Sequence, residues 1–382
     1  MTASASTRRR RALPLTAGSV LALALASLVT VPANSTAPVD ARAESTPKLG
    51  KHVMVATGLD NPRQLNLTPN GDVIVAEAGH GSYNSANCST FEGERTCVGR
   101  TGSVIRIHNG HAHKVISGLL SGAGPDGSFA IGGDGVSKRS GNRGAYFSIV
   151  TYAPPDLIPQ GLPGWQAGRL LRMRPNGHLR GIANIARFEQ NNDVDGEGVD
   201  TNPYSVLALK HRVLVADAAA DYIAQVKGGK VSVWATLPEY GPKVDAVPTV
   251  VSQGRDGNIY VGELHSEIPG AAKVWKLDRR GNLLRSWGHF TTVTGVARGA
   301  DGSLYVSELF GGSCTFADIP KCFPGRVVKI APNGQRSYRR VPFPAGVVVT
   351  HGKVYVAAFS VSPATGFGGN PAWSGAVWQI FR

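Results

Sequence analysis

The chain has 382 residues, of which 42% are apolar and only 17% charged, with 48 Gly and 24 Pro spread along it. That profile excludes a disordered or fibrous chain and fits a turn-rich all-β body with an ample core. A formal net charge of +14 at pH 7 suits polyanions, wall polymers or acidic lipids, but no lysine or arginine run is interleaved with aromatic residues, so no nucleic-acid partner is expected.

Residues 1–33 read as a secretory signal peptide. Arg8 to Arg11 form the basic n-region, Leu13 to Val31 the apolar h-region, and Val31-Pro32-Ala33 a small-residue cleavage site, with Ala41-Arg42-Ala43 as a second. The competing reading is an uncleaved anchor, because the apolar run is nearly long enough to span. Cleavage would leave no stable membrane insertion. It would also remove four arginines and no acid, so the net charge falls from +14 to +10. Residues 34–51, rich in Ser, Thr, Ala and Pro, read as a flexible leader, and residues 52–382 as the folded body. Cys88 with Cys97 and Cys314 with Cys322 read as two local disulfides, which suits a secreted, extracellular protein. Neither pair has the spacing of a zinc knuckle.

The body repeats one pattern six times. Asn70-Gly71-Asp72-Val73-Ile74-Val75-Ala76-Glu77 is a tight turn, a hydrophobic strand and a terminal carboxylate. Asp256 to Glu263 and Asp301 to Glu308 are close copies; Val213 to Asp217 and Val354 to Ala358 are worn ones. Each unit opens with a short apolar strand, runs through this second one, and returns as a third, such as Gly102 to Ile107. Tight turns at Asn109-Gly110, Asn176-Gly177, Gly228-Gly229, Arg280-Gly281 and Asn333-Gly334 follow five of the third strands and predict hairpins. A fourth strand, such as Val115 to Leu119, closes the unit. In the second unit, Gly144 to Ile149 is expected to serve as the inner strand after an unusually long Gly-rich stretch from Gly122.

Four antiparallel strands recurring roughly every 45 to 70 residues predict a six-bladed β-propeller. The sixth unit stops after its third strand. Val55-Ala56-Thr57-Gly58-Leu59 matches Val115 to Leu119, so the N-terminal strand is expected to pair into the last blade and close the ring, removing exposed sheet edges. The chain is expected to be a monomer.

Starts of first strands and ends of second strands share one face of such a disc. That face collects Asn61-Pro62-Arg63, Asn202-Pro203-Tyr204, Val247-Pro248-Thr249 and the carboxylates Glu77, Asp217, Glu263 and Glu308. The opposite face receives tight glycine turns, poor material for a site. Converging carboxylates can hold a hard cation such as calcium, and the candidate ligands are Glu77, Asp200, Asn202, Asp217, Asp245, Glu263 and Glu308. The same repeated carboxylate also serves simply as an acceptor for turn N–H groups. The acidic loop Asp193-Val194-Asp195-Gly196-Glu197-Gly198-Val199-Asp200 has acids at spacings that can wrap calcium, though not as an EF-hand, because Gly is not sixth and the twelfth residue is Tyr204. His80 beside Glu77 and His265 beside Glu263 are the candidates for acid–base work. No nucleophile elbow, phosphate-cradling loop or His-x-x-x-His pair occurs.

Val55 to Arg63, Gly124-Pro125-Asp126-Gly127, Val199 to Tyr204, and Asp245 to Thr249 leading to Tyr260-Val261-Gly262-Glu263-Leu264 together resemble the ScyD/ScyE family, exported propeller-like proteins named from scytonemin biosynthesis clusters. The likeness covers nearly the whole mature chain. Where such sequences typically read Gly-Pro-His-Asp-Val-Ser, this chain has Gly132-Gly133-Asp134-Gly135-Val136-Ser137 and lacks the histidine. More distantly the blades are similar to NHL-type, strictosidine synthase-like and gluconolactonase-like six-bladed propellers. The resemblance implies an exported propeller and carries over no particular reaction.

The leading functional expectation is a secreted binding or accessory propeller whose polar face takes a small molecule, glycan or protein partner, with no cofactor firmly implied beyond calcium. The alternative is a metal-dependent, lactonase-like hydrolase or lyase with a cation near the axis. A quinone-cofactor sugar dehydrogenase is a third reading, and it would need convergent Arg, Lys and His that the repeat does not assign.

Overall fold

The structure is a computed structural model describing residues 51–91, 93–139, 144–238, 240–241 and 244–381. The expected signal peptide and all of the expected leader but Lys51 lie outside the described residues.

Six antiparallel sheets form the six blades of a β-propeller. The innermost strands are β2 (Pro62–Leu67), β7 (Gly133–Lys138), β11 (Pro203–Ala208), β15 (Pro248–Gln253), β19 (Val293–Arg298) and β23 (Val347–Thr350). Each packs against the next around a closed circuit that returns from β23 to β2. Beside them run the second strands β3 (Val73–Glu77), β8 (Tyr146–Val150), β12 (Val213–Asp217), β16 (Ile259–Glu263), β20 (Leu304–Glu308) and β24 (Lys353–Ala358).

The second strands read as unbroken apolar runs because both of their faces are covered. Every residue of β3, β8, β12, β16 and β20 is buried. In β3, Ile74 and Ala76 join Val136, Tyr146 and Leu171 of the second blade, while Val73 and Val75 join Val348, Ala357 and Val377 of the sixth. Alternate side chains thus weld one strand to the blade on either side. Each buried aliphatic side chain stabilises the ring by about 1.5–3 kcal/mol relative to exposure.

Ring closure follows the expected route. β1 (Val53–Leu59) pairs antiparallel with β25 (Gly375–Ile380), with Val53 opposite Gln379 and Leu59 opposite Gly375. The N-terminal strand is therefore the outer strand of the last blade. The hairpin at Asn109-Gly110 has φ of 50° and 79° at its two residues, the left-handed pair such a turn demands.

Three features differ from the expectation or were absent from it. In the second blade the innermost strand is Gly133–Lys138, and Tyr146–Val150 is the second strand, not the inner one. Gly133 and Gly135 carry no side chain to mark a strand, so the longer apolar run hid it. The first blade gains a fifth strand, β4 (Cys88–Phe91), whose Cys88 sits opposite Cys97 of β5 (Glu94–His108) and is bonded to it. An α-helix, α1 (Ile185–Asn192), follows the third blade's predecessor strand β10 (Leu179–Asn184), capped by the Asn184 side chain accepting the N–H of Arg187. Cys314 and Cys322 form the second disulfide.

Candidate functional site

Register fixes what stands on the loop face. Pro62 lies opposite Glu77, Pro203 opposite Asp217, Pro248 opposite Glu263 and Val293 opposite Glu308, and each pair is followed by a bulge in the inner strand. The four acids are fully or nearly fully buried. Three of them hold the lead-in to their own inner strand. Glu77 accepts the N–H of Asp60 at 3.0 Å and the Ser103 hydroxyl. Asp217 accepts the N–H of Asn202 at 2.6 Å and the Thr201 hydroxyl at 2.5 Å. Glu308 accepts the N–H of Thr291 at 2.8 Å and Arg326 Nε at 2.6 Å. These carboxylates act as backbone clips within their own blades.

Glu263 is different because another residue has taken its clip. Asp221 accepts the N–H groups of Ala246 and Val247 at 2.9 and 2.7 Å. Glu263 instead accepts from Trp275 Nε1 at 2.6 Å and Tyr240 Oη at 3.0 Å, and lies 3.3 Å from His265 Nδ1. Burial, opposed by those donors and by Lys273, pushes Glu263 up to about 7. Burial and then Lys273 hold His265 below its usual value. His265, Ser266 and Glu267 are three successive residues at φ of 53°, 46° and 59°, a left-handed run of non-glycine residues that costs of order 1–3 kcal/mol per residue. His80 is placed otherwise: its Nδ1 pairs with Asp60 Oδ2 at 3.0 Å and its ring stacks on Tyr83.

The acidic loop folds back on α1. Glu189, Asp193 and Asp195 can each bring a carboxylate oxygen within 4.8 Å of the others. Glu189 is 0% exposed; its Oε1 accepts the N–H of Val194 at 2.9 Å, and its Oε2 is buried with no hydrogen-bond partner. Asn202 Oδ1 and the Tyr222 hydroxyl are likewise buried and unpartnered. Burial, opposed by the Val194 N–H and reinforced by Asp217, Asp195 and Asp193, pushes Glu189 up to about 7. Burial followed by Asp195, Asp245 and Glu197 pushes Asp200 up to about 6. Asp221 is likewise held near 6, by burial and by Asp245 and Asp195 against its two clip donors. The charges acting most strongly on these acids are one another's. Of the expected ligands, Asp200, Asp217 and Asp245 thus share one acidic rim, whereas Glu77, Glu263 and Glu308 close the second strands of the first, fourth and fifth blades. Glu189, Asp193, Asp195 and Asp221 join the rim. Glu189 was not among the expected ligands because the helix that carries it left no clear mark in the sequence.

The axis itself is stoppered. Arg63 Nε lies 3.5 Å from Asp134 Oδ1, and its guanidinium also donates to the Ala130 carbonyl. Asp134 is 0% exposed, and its other oxygen accepts the Gly132 N–H at 3.0 Å and the Thr151 hydroxyl. One residue on, Gln64 Oε1 accepts the N–H groups of Val136 and Val206 at 3.1 Å each. On the loop side of this stopper lies a cavity of about 20 Å³ walled by Phe129, Leu264, Glu267 and Phe310. On the turn side the channel widens to about 970 Å³.

No protein-family model matches the chain, and no curated protein matches it. Solved structures are similar in fold. The PQQ-bound aldose sugar dehydrogenase from Streptomyces coelicolor is 11% identical, with a TM-score of 0.50 over 87% of this chain and 99% of that one. A luciferin-regenerating enzyme is 9% identical, with a TM-score of 0.50 over 87% and 96%. The calcium-binding protein regucalcin from Agrobacterium tumefaciens is 12% identical, with a TM-score of 0.48 over 87% and 93%. At such identities the likeness is one of fold. It agrees with the expected propeller fold and does not bear on the closer resemblance to ScyD/ScyE proteins.

Proposed function

We propose that the chain is an exported binding propeller of ScyD/ScyE type, which takes a divalent cation such as calcium in the acidic rim of its loop face and uses that face for a small-molecule, glycan or protein partner. One observation carries the reading: the buried Glu189 Oε2, without a hydrogen-bond donor, beside Asp193 and Asp195. A buried carboxylate oxygen with no partner is costly. An all-oxygen set of this kind fits a hard cation, which would discharge the mutual repulsion of the rim. Glu189, Asp193 and Asp195 would hold the ion; Asn202, whose N–H Asp217 accepts, carries a further buried oxygen, Oδ1, without a hydrogen-bond partner. Two disulfides fit an extracellular protein, a setting rich in calcium, and no helix among the described residues is long and apolar enough to cross a membrane.

The partner arm is tested with immobilised protein on glycan arrays and in culture medium, with calcium or with a chelator. Ligand retained in calcium and released by the chelator supports the reading. Retention that is the same in both contradicts it.

The enzymatic alternative has one observation of its own, the Glu263–His265–Tyr240 group, whose histidine begins a left-handed run. Such a histidine, oriented by a carboxylate, suits proton transfer in a lactonase-like hydrolase or lyase. A lactone panel assayed with calcium, zinc or manganese tests it: turnover lost in His265→Gln supports this reading, and no turnover in any condition removes it.

A further inference from the structure

The turn face, where glycine hairpins gave no sign of a site, opens into a cavity of about 970 Å³. Its walls are the ends of the innermost strands, apolar at depth with Leu65, Leu207 and Val296. Its rim is cationic. Lys138 and Arg139 leave the end of β7, Lys210 and Arg212 form the turn after β11, and Arg279 and Arg298 come from the fourth and fifth blades. No carboxylate lines it among the described residues.

These cations keep no acidic partner of their own. None of the six makes an ion pair among the described residues, while acids of the same face are committed elsewhere: Asp72 to Arg106 and His108, Asp256 to Lys276, and Asp301 to Lys329. Aromatic rings hold several in place. Lys138 lies over Tyr146, Arg139 over Phe147 and Arg212 over Trp234, at 4.6, 5.0 and 5.3 Å from the ring centroids. Burial and then Arg106, opposed by Asp72, hold the Lys138 ammonium below its usual value, and burial and then Arg172 do the same to Arg139. A concave site of one sign with low-dielectric walls focuses the field on whatever enters it. Guanidinium forks with ammonium groups match phosphate and carboxylate oxygens.

We infer that this funnel is a binding site for a small organic polyanion, a molecule with several phosphate or carboxylate groups around a compact body, independent of the cation-binding face. Gln64 lines the funnel, and Arg63 lies beyond it against the small loop-side cavity, so the ligand would enter and leave by the turn face.

Isothermal titration of myo-inositol hexakisphosphate and of citrate into the protein at low salt tests this, with neutral myo-inositol as control. The expected result is one-to-one binding of at least one polyanion, weakened at least ~10-fold by raised salt. A Lys210→Glu/Arg298→Glu variant should weaken it by at least ~10-fold more, and the milder Lys210→Gln/Arg298→Gln pair by a smaller factor. Lys321→Glu, an exposed lysine outside the funnel, should leave affinity within about 2-fold. Preference between the two probes assigns phosphate or carboxylate. No binding of either probe, several equivalent sites, or equal loss in Lys321→Glu would overturn the inference. Thermal melts of each variant confirm folding, and the Gln pair keeps the test open if the Glu pair misfolds.

Discussion

The carboxylate of Asp217, at the end of one strand, accepts the backbone N–H of Asn202, at the start of the strand beside it, at 2.6 Å. Glu77 with Asp60 and Glu308 with Thr291 repeat that relationship in other blades. The repeated acid is therefore part of how a blade is held at its loop end.

Removing one clip should be costly. Glu308→Ala takes the acceptor from the Thr291 N–H and this counter-charge from Arg326, deep in the blade, and should lower stability by about 3 kcal/mol. Asp278→Ala, at an exposed turn on the other face, should stay within about 0.5 kcal/mol. Urea unfolding midpoints of the two variants make the comparison. Equal midpoints would mean the clip is idle.

The axis stopper makes a paired prediction. Asp134→Ala leaves Arg63 buried without its counter-ion and should cost about 3–5 kcal/mol, whereas replacing both partners with Arg63→Met and Asp134→Leu should recover much of the loss. Chemical denaturation of the three chains reads this directly. A double variant no better than the single would show that the pair is not what holds the stopper.

Stability should fall from mildly acidic to neutral pH. Glu189, Asp217 and Glu263 are pushed up to about 7, and Asp200 and Asp221 up to about 6. A carboxyl whose folded value lies above its unfolded one contributes stability that is complete below the unfolded value and is lost as pH rises through the folded one. The loss should therefore span about pH 4 to 7 without calcium. Asp60, Asp72 and Asp301 are held below their usual values, chiefly by hydrogen bonds that outweigh burial. Their contribution disappears as pH falls below about 4. Melting temperature against pH should peak at about pH 4, and calcium should flatten its neutral side. A peak at or above neutrality would contradict these assignments.

Closure by the N-terminal strand predicts a truncation phenotype. A chain beginning at Asn61 lacks β1 and bares the edge of β25, inviting strand-to-strand association. Compared with a chain beginning at Lys51, it should melt lower and form oligomers in light scattering. An unchanged monomer would mean that the first strand is dispensable.

The sequence was most legible where one side-chain pattern had one physical cause. Val73 to Ala76, Ile259 to Val261 and Leu304 to Val306 are apolar because they are sandwiched between blades, and their repetition announced the propeller. Val55 to Leu59 announced closure because it copied an outer strand. The second blade was harder to read because Gly133 and Gly135 put no side chains into the pattern. The candidate site was legible only in part. Asp193 to Asp200 stood out as an acidic stretch, but Glu189 acquires its meaning only when α1 brings it to that loop. The funnel was invisible for a similar reason: Lys138, Arg139, Lys210, Arg212, Arg279 and Arg298 are scattered along the chain, and only the ring gathers them at one mouth.

Calcium binding at the acidic rim is tested most directly by isothermal titration of calcium into the protein near pH 7.5, repeated on Glu189→Gln. Saturable binding is expected in the native chain, with proton release because Glu189 must ionise to ligate, and at least ~10-fold weaker binding in the variant. No binding by the native chain, or identical binding by both, would contradict it.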